Sequence, residues 1–197
     1  MPELPEVETI RRGLSDLIID KKILEVVNDW PKSLRINSEE LDNYVINARF
    51  RSVDRRAKLL ILNLSTGYSL IIHLKMTGQV VYDEPAIHFG AGHPSDSLIA
   101  KLPDKTTRVI FNLNKSAKLY FNDMRKFGWI KLLKSEDLSS DEFIKNLGQK
   151  GNYLNFANVY NRQGQTCHVC GEIIIKIRVA GRGTHYCPNC QKLKTAQ

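Results

Sequence analysis

The stretch RFRSVDRRAKLLILNLSTGYSLIIHLKM (residues 49–76) decides the fold class. Its three runs, RFRSVD, KLLILNL and YSLIIHLKM, are rich in branched and aromatic residues, which suit a pleated, half-buried surface. The STG between the last two is turn chemistry. The same texture continues outward on both sides. KILEVVNDW precedes the stretch, and QVVYD, TRVIFNLN, AKLYFND and GWIKLL follow it, with NKS as a further turn. Eight short strands between residues 22 and 133 predict an eight-stranded antiparallel β-sandwich. EPAIHFGAGHPSDS (84–97), polar and glycine-containing, reads as a loop.

The flanks are helical. Val7, Ile10, Leu14, Leu17 and Ile18 recur at helical spacing, which predicts one amphipathic helix over residues 3–19. SSDEFIKNLG (139–148) reads as a short helix, with Ser139 and Glu142 at capping-box spacing and Gly148 at the C-cap. The expected class is therefore mainly β with α. The expected divisions are a domain over 1–148, a connector over 149–166 and a cysteine-bearing module over 167–197.

A hydrophobic content of 42% sets the chain among globular proteins and apart from disordered ones. Lys and Arg number 29 against 21 Asp and Glu, a net +8, which favours an anionic partner and nucleic acid first. No apolar run reaches the length of a membrane span, so no membrane partner is expected and the protein is placed in the cytoplasm.

All four cysteines fall between 167 and 190, as CHVC and CPNC with sixteen residues between them. In a reducing compartment two C-x-x-C knuckles point to metal before disulfide. Cys167, Cys170, Cys187 and Cys190 suit one tetrahedral, structural Zn²⁺, with no coordination position left for catalysis. IIIKIRV alternates like a strand and AGRG supplies a turn, giving a zinc-clipped β-hairpin with Arg182 at its tip. Arg182 is either a solvated turn residue or a phosphate contact, and the +8 charge favours the contact.

The opening MPELPEVET has two readings. Proline and acids both favour a first helical turn, so the stretch can be simple helix-start decoration. Alternatively, loss of Met1 leaves the secondary amine of Pro2 as a nucleophile, with Glu3 and Glu6 beside it. An α-amino group has a reference pKa of about 8, against about 10.4 for lysine. The positive end of a helix dipole favours the neutral form further. Such an amine can attack an electrophilic sugar carbon and form an iminium while a neighbouring carboxylate moves protons.

PELPEVETIRRGL, RRAKLLIL, IIHLKMTG, NDMRKFGW and VAGRGTHYCPNCQ stand in the order and spacing of one family. With these motifs the chain resembles the formamidopyrimidine-DNA glycosylase / endonuclease VIII family, in its formamidopyrimidine branch. The resemblance covers roughly residues 1–148 and 151–192. It implies a DNA-repair enzyme, a bifunctional glycosylase and AP lyase, working through a Schiff base on the terminal proline. The implied substrates are oxidised purines (8-oxoguanine and formamidopyrimidines) and abasic sites. Damaged double-stranded DNA is the implied partner, with single-stranded or bubbled DNA beside it, and the enzyme is expected to be a nucleoid-associated monomer.

By matching position, Pro2 is the implied nucleophile, Glu3 and Glu6 the catalytic carboxylates, and Lys58 and His73 contacts to backbone or lesion, with Lys58 counted in the catalytic set and His73 among the DNA-binding residues. Met76, Arg125 and Phe127 match a trio that fills the gap left by an everted base, and Arg182 matches a phosphate anchor. Without the motifs, Lys58 and His73 are ordinary strand residues and Met76 and Phe127 are packing residues.

The sequence departs from the family at four places. Met124 and Lys126 replace proline and a second arginine, and Asn161 replaces a glycine. At NLGQKGNY the family's helix–two-turn–helix region and lesion-closing loop are missing. A non-catalytic or lyase-only DNA-binding protein is therefore the rival reading.

Overall fold

A computed structural model describes residues 2–147 and 157–192. The chain divides into two compact units, Met1–Leu147 and Gly148–Gln197.

The first unit opens with helix α1 (Leu4–Leu17), which buries Val7, Ile10 and Leu14 along one stripe. Ten strands follow: β1 (Ile23–Asn28), β2 (Leu34–Arg35), β3 (Phe50–Arg56), β4 (Leu59–Leu64), β5 (Tyr68–His73), β6 (Gly78–Glu84), β7 (Ile87–Gly92), β8 (Thr107–Leu113), β9 (Lys118–Asp123) and β10 (Trp129–Lys134). They form two five-stranded sheets, in the orders β1-β8-β9-β6-β7 and β2-β10-β5-β4-β3. Every pairing is antiparallel except β2 with β10. A short helix, α2 (Ser38–Glu40), lies between β2 and β3.

The inner faces of both sheets, together with α1, make one core, with Phe50, Leu60, Leu62, Ile72, Tyr82, Phe111 and Phe121 essentially inaccessible. The second sheet is apolar on its outer face as well. There Leu59, Ile61, Ile71 and Trp129 meet Ile144, with Leu138 and Leu147 packed against them. Burial on both faces is why LLILNL in β4 reads as a nearly continuous apolar run instead of alternating.

All eight expected strands are present, and two more join them. One is the two-residue β2. The other, β7, lies inside the segment expected to be a loop: Ile87–Gly92 pairs along its whole length with β6. Its glycines serve close approach and not only turning. Gly92 has φ 129°, and a Cβ there would lie 2.6 Å from the carbonyl oxygen of Gly78. Phe89 packs against α1 at Gly13, where a Cβ would come within 2.2 Å of the ring.

The short helix also needs correction. It is α3 (Glu142–Lys145), capped by Asp141 and not Ser139. The Asp141 carboxylate accepts the Ile144 N–H at 2.9 Å and is paired with Lys131 at 3.1 Å. Ser139 instead ends a preceding 3-10 turn over Ser135–Ser139. Asn146 is the C-cap, and Gly148 lies outside the described residues.

In the second unit β11 (Ile175–Val179) pairs antiparallel with β12 (Arg182–Tyr186). Ala180 and Gly181, both at positive φ, form the two-residue turn. Asn161 has φ 59°, a conformation that asparagine tolerates better than most residues, so it stands in for glycine at little cost. Among the described residues no helix is long and apolar enough to cross a membrane.

Candidate active site and zinc finger

Pro2 is buried immediately ahead of α1, and Glu3 is the residue from which the helix starts. The Glu6 carboxylate reaches back to accept the Glu3 N–H at 2.6 Å. Glu6 thus fixes the backbone between itself and Pro2, while Glu3 is exposed.

One turn on, Glu8 is a hub for three arginines. It accepts from Arg11 at 2.9 Å, from Arg55 at 2.9 Å and from Arg12 at 3.0 Å. Hydrogen bonds from Arg11, then Arg55 and Arg12, hold its carboxyl far below the usual carboxylate range. Arg55 also donates to the carbonyl of Ala57 at 2.9 Å. The turn between β3 and β4, which carries Lys58, is therefore tied to the first turns of α1. Sequence reading places Glu8 with Glu3 and Glu6 around the Pro2 amine, whereas here Glu8 binds arginines. It missed Arg55, which lies 47 positions from Glu8.

Lys58 precedes Leu59, which pairs across β4 and β5 with His73, and His73 pairs in turn with Trp129 on β10. The His73 ring lies 5.7 Å from the Trp129 ring. Its Nδ1 accepts the Lys75 N–H at 3.0 Å, which leaves the ring proton on Nε2. Burial first, and then the charges of Lys75 and Lys58, push its pKa down to about 4. At neutral pH His73 is an uncharged donor set among cations. Arg35 stacks over Trp129 at 5.1 Å, so this end of the sheet combines positive charge with aromatic surface.

Two loops project beside it. The loop after β5 carries Met76, 39% exposed, and the loop after β9 carries Arg125 and Phe127, the latter 51% exposed. The Arg125 guanidinium lies 4.9 Å from the centre of the Phe127 ring. Lys126, at positive φ, sits 4.1 Å over Trp30. Between the loops the fully buried Asp123 accepts backbone N–H groups from Phe127 at 2.8 Å and Gly128 at 2.6 Å. The structure thus groups Lys58, His73, Met76, Arg125 and Phe127 at one end of the sandwich, with Pro2, Glu3 and Glu6 linked to Lys58 through Glu8 and Arg55.

In the second unit the sulfurs of Cys167, Cys170, Cys187 and Cys190 all lie within 4.8 Å of one another. The N–H groups of Val169 and Cys170 lower the Cys167 thiol, and that of Glu172 lowers Cys170 to about 6. Cys190 is pushed up to about 12, first by its contact with Cys170. Four thiolates this crowded repel unless a cation sits among them, and an all-sulfur set of this size fits Zn²⁺. Arg182 is exposed, but it is not at the tip as expected. It is the first residue of β12 and pairs with Val179, because the two-residue turn takes up only Ala180 and Gly181.

Residues 1–130 match the family described as formamidopyrimidine-DNA glycosylase N-terminal domain, and residues 164–193 match the zinc finger found in FPG and IleRS. The chain belongs to the formamidopyrimidine-DNA glycosylase family. It is thus an enzyme of a DNA-repair family, with a structural zinc finger. A formamidopyrimidine-DNA glycosylase of Pelotomaculum thermopropionicum is 30% identical, over 98% of this chain and 100% of the relative. One of Lactiplantibacillus plantarum is 25% identical, over 98% and 100%. The first alignment runs over 296 positions, which a chain of 197 residues fills only with a long gap.

Among solved structures, a MutM in complex with DNA containing carbocyclic 8-oxo-G matches with a TM-score of 0.60 at 22% identity, covering 98% of this chain and 100% of that one. A Lactococcus lactis Fpg in complex with abasic-site DNA gives a TM-score of 0.58 at 22% identity, over 97% and 100%. These two likenesses establish the fold.

Proposed function

We propose that this chain is a DNA glycosylase and AP lyase that acts on oxidised purines and abasic sites through the amine of Pro2. The observation that carries the reading is the helix start. Pro2, Glu3 and Glu6 are held together there by the bond from Glu3 N–H to Glu6, and the Glu8–Arg55 pair brings the Lys58 turn alongside.

With Met1 removed, the Pro2 nitrogen attacks C1′ of the damaged nucleoside. The bond from C1′ to the base breaks, and the electron pair leaves with the base, which takes a proton. Ring opening gives an iminium, with Glu3 moving protons at the sugar. Loss of the C2′ proton then expels the 3′ phosphate, and water releases the enzyme from the sugar. Lys58, His73 and Arg182 grip the phosphates and lesion while Met76, Arg125 and Phe127 fill the vacated stack. The zinc-bound finger orients Arg182 and takes no part in the chemistry. On this reading the domain over 1–148 is catalytic, 149–166 connects and 167–197 is the finger. A monomer suffices, and the enzyme belongs in the cytoplasm with the nucleoid.

The long gap against the P. thermopropionicum relative favours a narrower version, in which lyase activity outlives base recognition. Abasic sites need no base to be read and cost less to open. Single-stranded or bubbled DNA should then be better substrates than intact duplex.

Borohydride trapping on an abasic duplex tests the reading. The expected result is a covalent protein–DNA adduct, weakened or altered by Pro2→Gly and abolished when Met1 is retained. Equal trapping with Met1 still attached would overturn it.

A further inference from the structure

Asp123 ends β9 with its side chain fully buried, and it does more than cap a turn. One carboxylate oxygen takes the amides of Phe127 and Gly128. The other takes the Arg125 N–H at 3.1 Å and the hydroxyl of Thr77, which belongs to the other loop. The Arg125 N–H is shared with the Thr77 oxygen, also at 3.1 Å. A simple turn cap has no need of Thr77.

The anchor is itself anchored. The Asp123 carbonyl accepts from the buried Arg108 guanidinium at 2.9 Å, and its N–H donates to Thr106 at 2.8 Å. Arg108 in turn donates to Asp29 at 3.0 Å and Lys105 at 2.7 Å. Above this buried polar lattice stand Met76 and Phe127, apolar and exposed. Side chains that wedge between bases gain from being held in place beforehand, because their ordering cost is then already met in the free protein.

We propose that Asp123 and Thr77 are positioning residues that lock the Met76 loop and the Arg125–Phe127 loop into one wedge, which enters damaged duplex as a unit. The proposal rests on the reading that these loops face DNA, but it does not depend on the Pro2 chemistry.

The test uses a duplex with a tetrahydrofuran abasic analogue and 2-aminopurine beside it, so that insertion is read by fluorescence without strand cleavage. Wild type should raise the fluorescence on binding. Thr77→Val keeps the shape and removes the hydroxyl. It should reduce that signal and weaken lesion-duplex affinity about tenfold, the scale of one hydrogen bond to a charged group. Its affinity for undamaged duplex should stay near wild type, and its unfolding midpoint should fall only as far as one lost hydrogen bond lowers it, with the protein fully folded under the binding conditions. Thr77→Ser should restore the signal.

Asp123→Asn, which turns a donor towards N–H groups, should show the larger loss. If it fails to fold, the Thr77 pair still decides. Full signal in Thr77→Val, a parallel loss on damaged and undamaged duplex, no rescue by serine, or no fluorescence change with wild type would each overturn the proposal. Failure of borohydride trapping with this fluorescence pattern intact would remove the Pro2 reading alone.

Discussion

The sandwich and the finger hold themselves together by opposite means. The sandwich buries a continuous apolar core between two sheets and a helix. The described part of the finger buries little beyond Cys167, Ile174 and Cys187, and every residue of β11 is exposed. Burial of apolar area grows with size, so a small module needs another source of stability, and here it is metal–thiolate bonding. One chain therefore carries a unit whose order comes from water exclusion and another whose order comes from coordination.

The sharpest way to separate them is chelation. Zinc-finger peptides owe roughly 10–16 kcal/mol of apparent binding free energy to the metal, and that energy is their folding energy. Stripping zinc should abolish the β11–β12 hairpin, while amide protection in β4, β5 and β9 is unchanged. Parallel loss in both units, followed by hydrogen exchange, would break the contrast.

The reciprocal cut is Leu62→Ala, a fully buried side chain in β4. Large-to-small core changes cost about 2–5 kcal/mol. Urea unfolding should register that loss in the sandwich, with zinc content still one per chain.

A smaller effect concerns His73. Its folded pKa, about 4, lies below the ordinary 6.5. The unfolded chain therefore binds more protons between those values, and this group's contribution is present above pH 6.5 and lost as pH falls towards 4. His73→Gln should flatten the acid side of the sandwich's stability profile over that window. An unchanged profile would mean that the ring is not held neutral.

Much of this architecture was legible because periodicity and composition are local. The helix stripe of α1, the eight apolar runs and the cysteine spacing each declare themselves within a few residues. What escaped depended on contacts made at a distance. HFGAG reads as loop because glycine usually marks turns, yet Gly92 admits the backbone of Gly78, Gly90 admits that of Leu98, and both support a strand whose Phe89 meets α1 at Gly13. Ser139 has capping spacing, but Asp141, charged and paired with Lys131, wins the cap. Arg182 lies beside the turn and not on it, a matter of register that composition does not specify. The Glu8–Arg55 and Asp123–Thr77 links join residues separated by 47 and 46 positions, and no short-range pattern encodes them.

The outer face of the second sheet brings its own cover. Leu59, Ile61, Ile71 and Trp129 are covered by Leu138, Ile144 and Leu147, all within the first unit. The sandwich is thus sealed on that side by its own tail. Removal of chain beyond Leu147 would therefore take away none of the residues that cover this face.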